Sequence, residues 1–261
     1  MFIGAHPDDA DIHFAGTAIL LKELGHEIIF TSITDGSAGH QTMGREELAK
    51  RRLAETQEVA KFLGIRYIVM DAIDSELTAD LSTRKKLIKL IREVKPDVII
   101  SPRPNDYHPD HRAAGQLVQD SSFLLTVPLC CPDVPRLEKN PYIFYNQDIF
   151  TKPNSFTPDI IVNITSVIDK KMESLSLHVS QVFEWLPFIY PITEAIPQDK
   201  KGQIEFCKRN WGNRGGALRF LPLLNDPDAK YAETLERCEY GSKVTPDIAK
   251  ELFPFATINF S

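Results

Sequence analysis

The sequence predicts an α/β fold: a Rossmann-like, mostly parallel sheet with helices on both faces, plus a smaller irregular or helical C-terminal region. Three observations predict it. Short apolar runs alternate with helical periodicity over the first hundred residues. Glycines and prolines mark the changeovers. Two clusters, Ala5-His6-Pro7-Asp8-Asp9 and His108-Pro109-Asp110-His111, follow runs that read as strands, the place where an α/β sheet carries its chemistry.

Residues 2–5 form a short apolar run ending at His6. Helical spacing follows from about His13 to Leu24, with Gly25 placed to stop it. Glu27–Ile33 reads as a second strand and Asp35–Gly39 as a flexible loop. Arg45–Leu63 is a long helix closed by Gly64, with Val59, Phe62 and Leu63 on its apolar face. Tyr67–Met70 is a third strand. Leu87, Leu90, Ile91 and Val94 fall at i, i+3, i+4 and i+7, so a helix precedes Pro96. Asp97–Ser101 is a fourth strand. Right-handed crossovers then bring every strand's carboxyl end, and both clusters, to one edge of the sheet.

Pro109 suits the first position of a helix running through Leu117. Regular patterning dissolves from Ser121 to Pro158, which predicts an irregular excursion over the active-site edge. Pro158–Ile164 reads as a further strand and Ser166 to about Glu184 as a helix. One domain over 1–261 is expected: a core at 1–120, the irregular region at 121–158, and closing elements at 159–261. Met1-Phe2-Ile3-Gly4 is short for a central strand. The expectation is either a natural start a few residues upstream or an unusually short native strand.

A hydrophobic fraction of 43% with 25% charged residues is ordinary for a globular protein. The net charge of −6, without a basic block, argues against nucleic acid as the main partner. No apolar run approaches the ~18 residues of a membrane span. With no signal layout at the N-terminus, a cytoplasmic location is expected. Cys130, Cys131, Cys207 and Cys238 lack C-x-x-C spacing, so reduced thiols are expected rather than a metal ribbon or a disulfide framework.

The clusters carry the chemistry. His6 and Asp9, three apart around Pro7, can turn towards one point, with His111 or His108 as a third ligand to a divalent metal. Asp8, adjacent without having to be a ligand, suits a general base. The other histidine of the second cluster would face the reacting carbonyl, with Asp110 holding its tautomer. A metal-dependent phosphoesterase, a non-haem iron oxygenase and a non-catalytic sugar-binding protein are the competing readings. The first lacks enough spare carboxylates, and the last has no need of a proton-transfer set.

These residues resemble the PIG-L/LmbE-like superfamily of zinc-dependent N-acetylglucosaminyl deacetylases. The likeness extends to Thr34-Asp35-Gly36, to Arg52 and Glu55 before Leu63-Gly64, to Asp74, to Lys171 with His178-Val179-Ser180-Gln181, and to Tyr231-Ala232-Glu233. Two departures are Asp11, where the family commonly has Glu, and Ala15-Gly16-Thr17, where it favours Gly-Gly-Thr. They bear on packing and substrate access, not on the ligands.

By that resemblance His6, Asp9 and His111 hold one zinc per chain, with ferrous iron or manganese as alternatives. Asp8 is the general base, His108 the general acid or oxyanion stabiliser, and Asp110 orients His108. Arg52, Asp74 and Asp106 are candidates for contacting the sugar or supporting the site. The implied reaction is hydrolytic N-deacetylation of an N-acetylglucosamine-type amino sugar or small conjugate. Members of the family often form homo-oligomers, which the resemblance leaves open here.

Overall fold

The computed structural model describes residues 1–260. The sheet has eight strands: β1 (Phe2–Gly4), β2 (Ile29–Thr34), β3 (Arg66–Ala72), β4 (Val98–Ser101), β5 (Tyr142–Asn146), β6 (Ile160–Asn163), β7 (Ala232–Arg237) and β8 (Thr257–Ile258). Their order is β3-β2-β1-β4-β5-β7-β6-β8. The first five are parallel, with Phe2 beside Phe30 and Ile100, and Ile99 beside Ile143. The last three join by antiparallel pairing. From β1 the chain builds outward through β2 and β3, then returns to add β4 and β5 on the other side. The switch point between β1 and β4 opens a crevice beyond their carboxyl ends.

Alternation along the strands supplies two cores. Phe2, Phe30, Ile100 and Phe144 face one layer, and Ile3, Ile33, Ile99 and Ile143 face the other. Helices α1 (Asp9–His13), α2 (Ala15–Glu23), α6 (Ile168–Leu175), α8 (Lys200–Trp211) and α9 (Pro246–Leu252) contribute to the first. Helices α4 (Leu81–Val94) and α5 (Pro109–Ser122) contribute to the second. The long α3 (Arg45–Leu63) ends where Gly64 takes φ +66°, a conformation that favours glycine. Asp80 caps α4 by accepting from the N–H of Ser82 and Thr83 at 2.7 and 3.0 Å. His108 caps α5, with Pro109 as its first residue.

Four expectations differ from the structure. The helix expected from His13 begins earlier, as α1, and breaks at Phe14 before α2. The 121–158 region contains β5, and only the segment after it hangs over the active-site edge. Its first part packs at the opposite end of the sheet, where the fully buried Arg92 donates to the carbonyls of Leu124, Leu125, Val127, Cys130, Cys131 and Val134. The helix expected over 166–184 is a 3-10 turn, then α6, then a π-helical turn at Ser180–Trp185 and a short α7 (Leu186–Ile189). The C-terminal region supplies β7, which inserts between β5 and β6, so it is part of the sheet rather than an appendage.

The four cysteines are free thiols. Among the described residues no helix is long and apolar enough to cross a membrane.

Candidate metal centre and active-site cleft

Parallel connections bring the loop after β1 against the start of α5. The imidazole of His6 lies with its centroid 4.7 Å from that of His108 and 5.2 Å from that of His111. The cluster opens into a cleft of about 310 Å³ shared with Asp8, Asp9, Arg52, Asp74, Gln181 and Trp185.

The partners of each ring decide which nitrogens are free. His6 Nε2 sits between Asp74 Oδ1 at 3.3 Å and Asp110 Oδ2 at 3.4 Å, aligned well with neither. His111 Nδ1 lies 3.2 Å from Asp106 Oδ2. A ring whose outer N–H faces a carboxylate keeps its lone pair on the other nitrogen. The two lone-pair atoms, His6 Nδ1 and His111 Nε2, therefore face each other at 3.2 Å. Asp9 completes the triangle: Oδ1 is 3.4 Å from His111 Nε2, and Oδ2 is 3.9 Å from His6 Nδ1. Donors on one tetrahedral zinc are about 3.3 Å apart, given bonds of about 2.0–2.1 Å. His6 Nδ1–His111 Nε2 at 3.2 Å and His111 Nε2–Asp9 Oδ1 at 3.4 Å match that spacing, so a divalent ion fits beside these donors; the 3.9 Å approach is made by Asp9 Oδ2, which two backbone N–H groups hold. His108 offers a second set with His6 and His111, all within 4.8 Å, but its Nδ1 already accepts from the Asp110 N–H at 3.2 Å.

Electrostatics points the same way. Burial opposes charge on His6, yet Asp110 and Asp74 outweigh it and raise the imidazole to about 9. His111 rises to about 10, because Asp9 and Asp106 likewise overcome burial. Burial would raise Asp9, but His111 and His6 hold it well below the usual carboxylate range. Asp74 is also held low against burial, by His6 and the Ala38 N–H. His108 moves the other way: burial, then the charges of His6 and His111, push it down. The site is thus a ring of carboxylates calling for cationic charge. With no ion bound, that charge falls to a proton shared between the facing His6 Nδ1 and His111 Nε2, 3.2 Å apart. Metal loading should release about one proton per chain. Calorimetry in buffers of unlike ionisation heat checks this, and a release near zero contradicts it.

The backbone is built for these side chains. A Cβ on Gly4 would stand 2.7 Å from Asp9 Cβ and 2.8 Å from its Oδ2. That oxygen is fixed by the N–H of Ala5 and His6 at 2.7 and 2.9 Å, so Asp9 cannot yield freely. Gly4→Ala should weaken metal affinity about 10–100-fold, the scale seen when a ligand's support is disturbed. A chelator-competition titration measures it. Ser75, at φ +69°, aims its N–H at Asp110 Oδ2 from 2.7 Å.

Several placements differ from the sequence reading. The Asp110 carboxylate serves His6 and the Ser75 N–H; only its backbone N–H meets His108. The side chain leans across the loop because α5 turns it away from its own N-cap. Arg52 pairs with Asp8, Nη2 to Oδ1 at 2.9 Å, and donates to the Gly36 carbonyl at 3.1 Å. Asp74 is committed to His6, the Ala38 N–H at 3.0 Å and the Ser75 hydroxyl at 3.2 Å. Asp106 is committed to His111 and to the His108 N–H at 2.8 Å. These three brace the site and leave little for a sugar. His13, at the end of α1, also lines the cleft. Of the aromatic residues from the π-helical turn onward, Phe183 is core, Trp185 and Tyr190 line the cleft, and Phe188 stacks on Trp185 while largely exposed.

Below the metal cluster lies a buried polar frame. Glu233 on β7 accepts from Gly16 N, Thr17 N, Thr17 Oγ1 and Lys171 Nζ at 2.6–2.9 Å. Asp11 accepts from Ser174 Oγ at 2.9 Å and lies 3.0 Å from His178 Nε2. Glu55 accepts from the N–H and hydroxyl of Ser180 at 2.8 and 2.6 Å. The later motif residues therefore hold α1 and α2 from beneath.

The sequence pattern described as "PIG-L: GlcNAc-PI de-N-acetylase" matches residues 1–122. The chain is 31% identical over 207 residues to the diacetylchitobiose deacetylase of Thermococcus kodakarensis, covering 73% of this chain and 74% of that protein. It is 28% identical over 218 residues to a probable N-acetyl-α-D-glucosaminyl L-malate deacetylase of Bacillus cereus, covering 77% and 86%. In structure it resembles the 4-carboxy-2-hydroxymuconate hydratase of Pseudomonas putida, with TM-score 0.70 and 22% identity over 94% of this chain and 96% of that one. That last likeness speaks to the fold alone.

Proposed function

Because this chain belongs to the PIG-L family, we propose that it is a metal-dependent deacetylase that hydrolyses the N-acetyl group of an N-acetylglucosamine-type conjugate. The observation that carries the site assignment is the 3.2 Å approach of His6 Nδ1 to His111 Nε2, with Asp9 at the third corner. We assign His6, Asp9 and His111 as the ligands of one zinc and read residues 1–261 as one deacetylase domain.

A bound divalent ion supplies Lewis-acid polarisation and lowers the pKa of a water it binds to about 7. The chain's own residues do the rest. Asp8 has Oδ1 tied to Arg52, which leaves Oδ2 to take a proton from the attacking water. His108 accepts the Asp110 N–H at Nδ1, so its neutral ring carries the proton on Nε2. That N–H is the donor for the oxyanion, a role worth roughly 10²–10³ in rate. Asp74, Asp106 and Asp110 are positioning residues that fix the two ligand imidazoles.

The test is acetate release from N-acetylglucosamine conjugates before chelation, after it, and after zinc is restored. Activity should vanish and return with the metal. Turnover that survives complete chelation contradicts the reading.

A further inference from the structure

A second cavity of about 570 Å³ adjoins the cleft, and Asp9, His13, Tyr107, His111, Tyr190 and Arg214 line both. Its outer walls come from Asn146–Phe150, after β5, and Arg209–Gly216, at the end of α8 and beyond it. Nearly every charge on these walls is answered within the protein. Asp148 is held by Arg103 through two bonds of 2.6 Å. Arg209 pairs with Glu194 at 2.9 Å. Asp9 and Asp106 face His111.

Arg214 is the exception. Its guanidinium lies 4.5 Å over the Tyr190 ring and 5.7 Å from that of Trp211, and it donates to the Tyr190 hydroxyl at 2.6 Å. Among the described residues no carboxylate lies within ion-pair distance of it. The following loop is fixed: Gly215 and Gly216 take φ +81° and +72°, and a Cβ on Gly215 would meet Gln147 Cγ at 2.9 Å. A guanidinium positioned by aromatic faces, with most of its donors unspent, recognises an anion.

We infer that the second cavity takes the non-reacting part of the substrate and that Arg214 reads an anionic group on it, a carboxylate or a phosphate. Arg214 is then a specificity residue, and the favoured substrates are N-acetylglucosamine conjugates with an acidic aglycone. This rests on the deacetylase reading above.

The test compares kcat/KM for the N-acetylglucosaminide of a hydroxy acid, its neutral methyl ester, and N-acetylglucosamine 1-phosphate. The wild type should favour one of the two anions over the ester about ten- to hundredfold, chiefly through KM, as expected for a charge-assisted hydrogen bond. Arg214→Gln should bring that ratio close to one, and Arg214→Lys should keep part of it. Wild-type enzyme that hydrolyses the ester as well as either anion overturns the inference while leaving the reaction intact. So does a preference that persists in Arg214→Gln. Failure of all three conjugates to release acetate removes the reaction reading, and this inference with it.

Discussion

Asp8→Asn is expected to lower kcat by about 10²–10⁴ while leaving the metal content of the chain unchanged. Asparagine keeps the shape of the side chain and an oxygen for the Arg52 bond at 2.9 Å, so the loop after β1 should stay in place. What it loses is the ability to take a proton. Asp9, the neighbouring carboxylate, cannot substitute: Oδ2 is fixed by two backbone N–H groups and Oδ1 is turned towards His111. Acetate release and elemental analysis on the same preparation check the prediction. Loss of metal in parallel with rate would move Asp8 from base to ligand.

Lys171→Met is expected to destabilise the fold by about 3–5 kcal/mol, because it leaves the fully buried Glu233 without its cation. At roughly 2–4 °C per kcal/mol for a chain of this size, the melting temperature should fall by about 10 °C. Glu233 also receives the first N–H groups of α2 and the Thr17 hydroxyl. The loss therefore loosens the helix pair that begins at Asp9. Adding Glu233→Gln should recover part of the stability, since the uncompensated charge is then gone. Calorimetric melting of the single and double variants reads this directly. A double variant no more stable than the single one contradicts the pairing.

Local signals account for what the sequence made legible. The spacing of Leu87, Leu90, Ile91 and Val94, the glycine after Leu63 and the proline after His108 each act within one turn of chain. The meeting of two clusters a hundred residues apart followed from the handedness of parallel crossovers. β5 was missed because prolines surround it, although Tyr142-Ile143-Phe144-Tyr145 is an aromatic and β-branched run suited to a strand. The break at Phe14 and the π-helical turn at Ser180–Trp185 escaped because tertiary partners impose them. Glu55, for example, holds Ser180 from another helix.

Within the site, the residue types and their proximity could be anticipated, but their pairings could not. Spacing cannot say that the Asp110 carboxylate leans towards His6 rather than His108, or that Arg52 reaches Asp8 rather than Glu55. Those outcomes depend on side-chain direction at a loop–helix junction. Arg214 carried little local signal: Trp211 is three residues away, but Tyr190, whose ring and hydroxyl hold the guanidinium, comes from the segment after α7. The lone frame residues Lys171 and Glu233 were visible only as motif letters. Their role in holding α2 emerges from the place of β7 in the sheet.

The most direct measurement is NMR of the zinc-loaded chain with an N-acetylglucosamine conjugate labelled at the acetyl carbonyl. The expected result is free labelled acetate and free amine in equal amounts, both absent in Asp8→Asn. Label that remains wholly in the amide, with zinc confirmed on the chain, would contradict the deacetylase assignment.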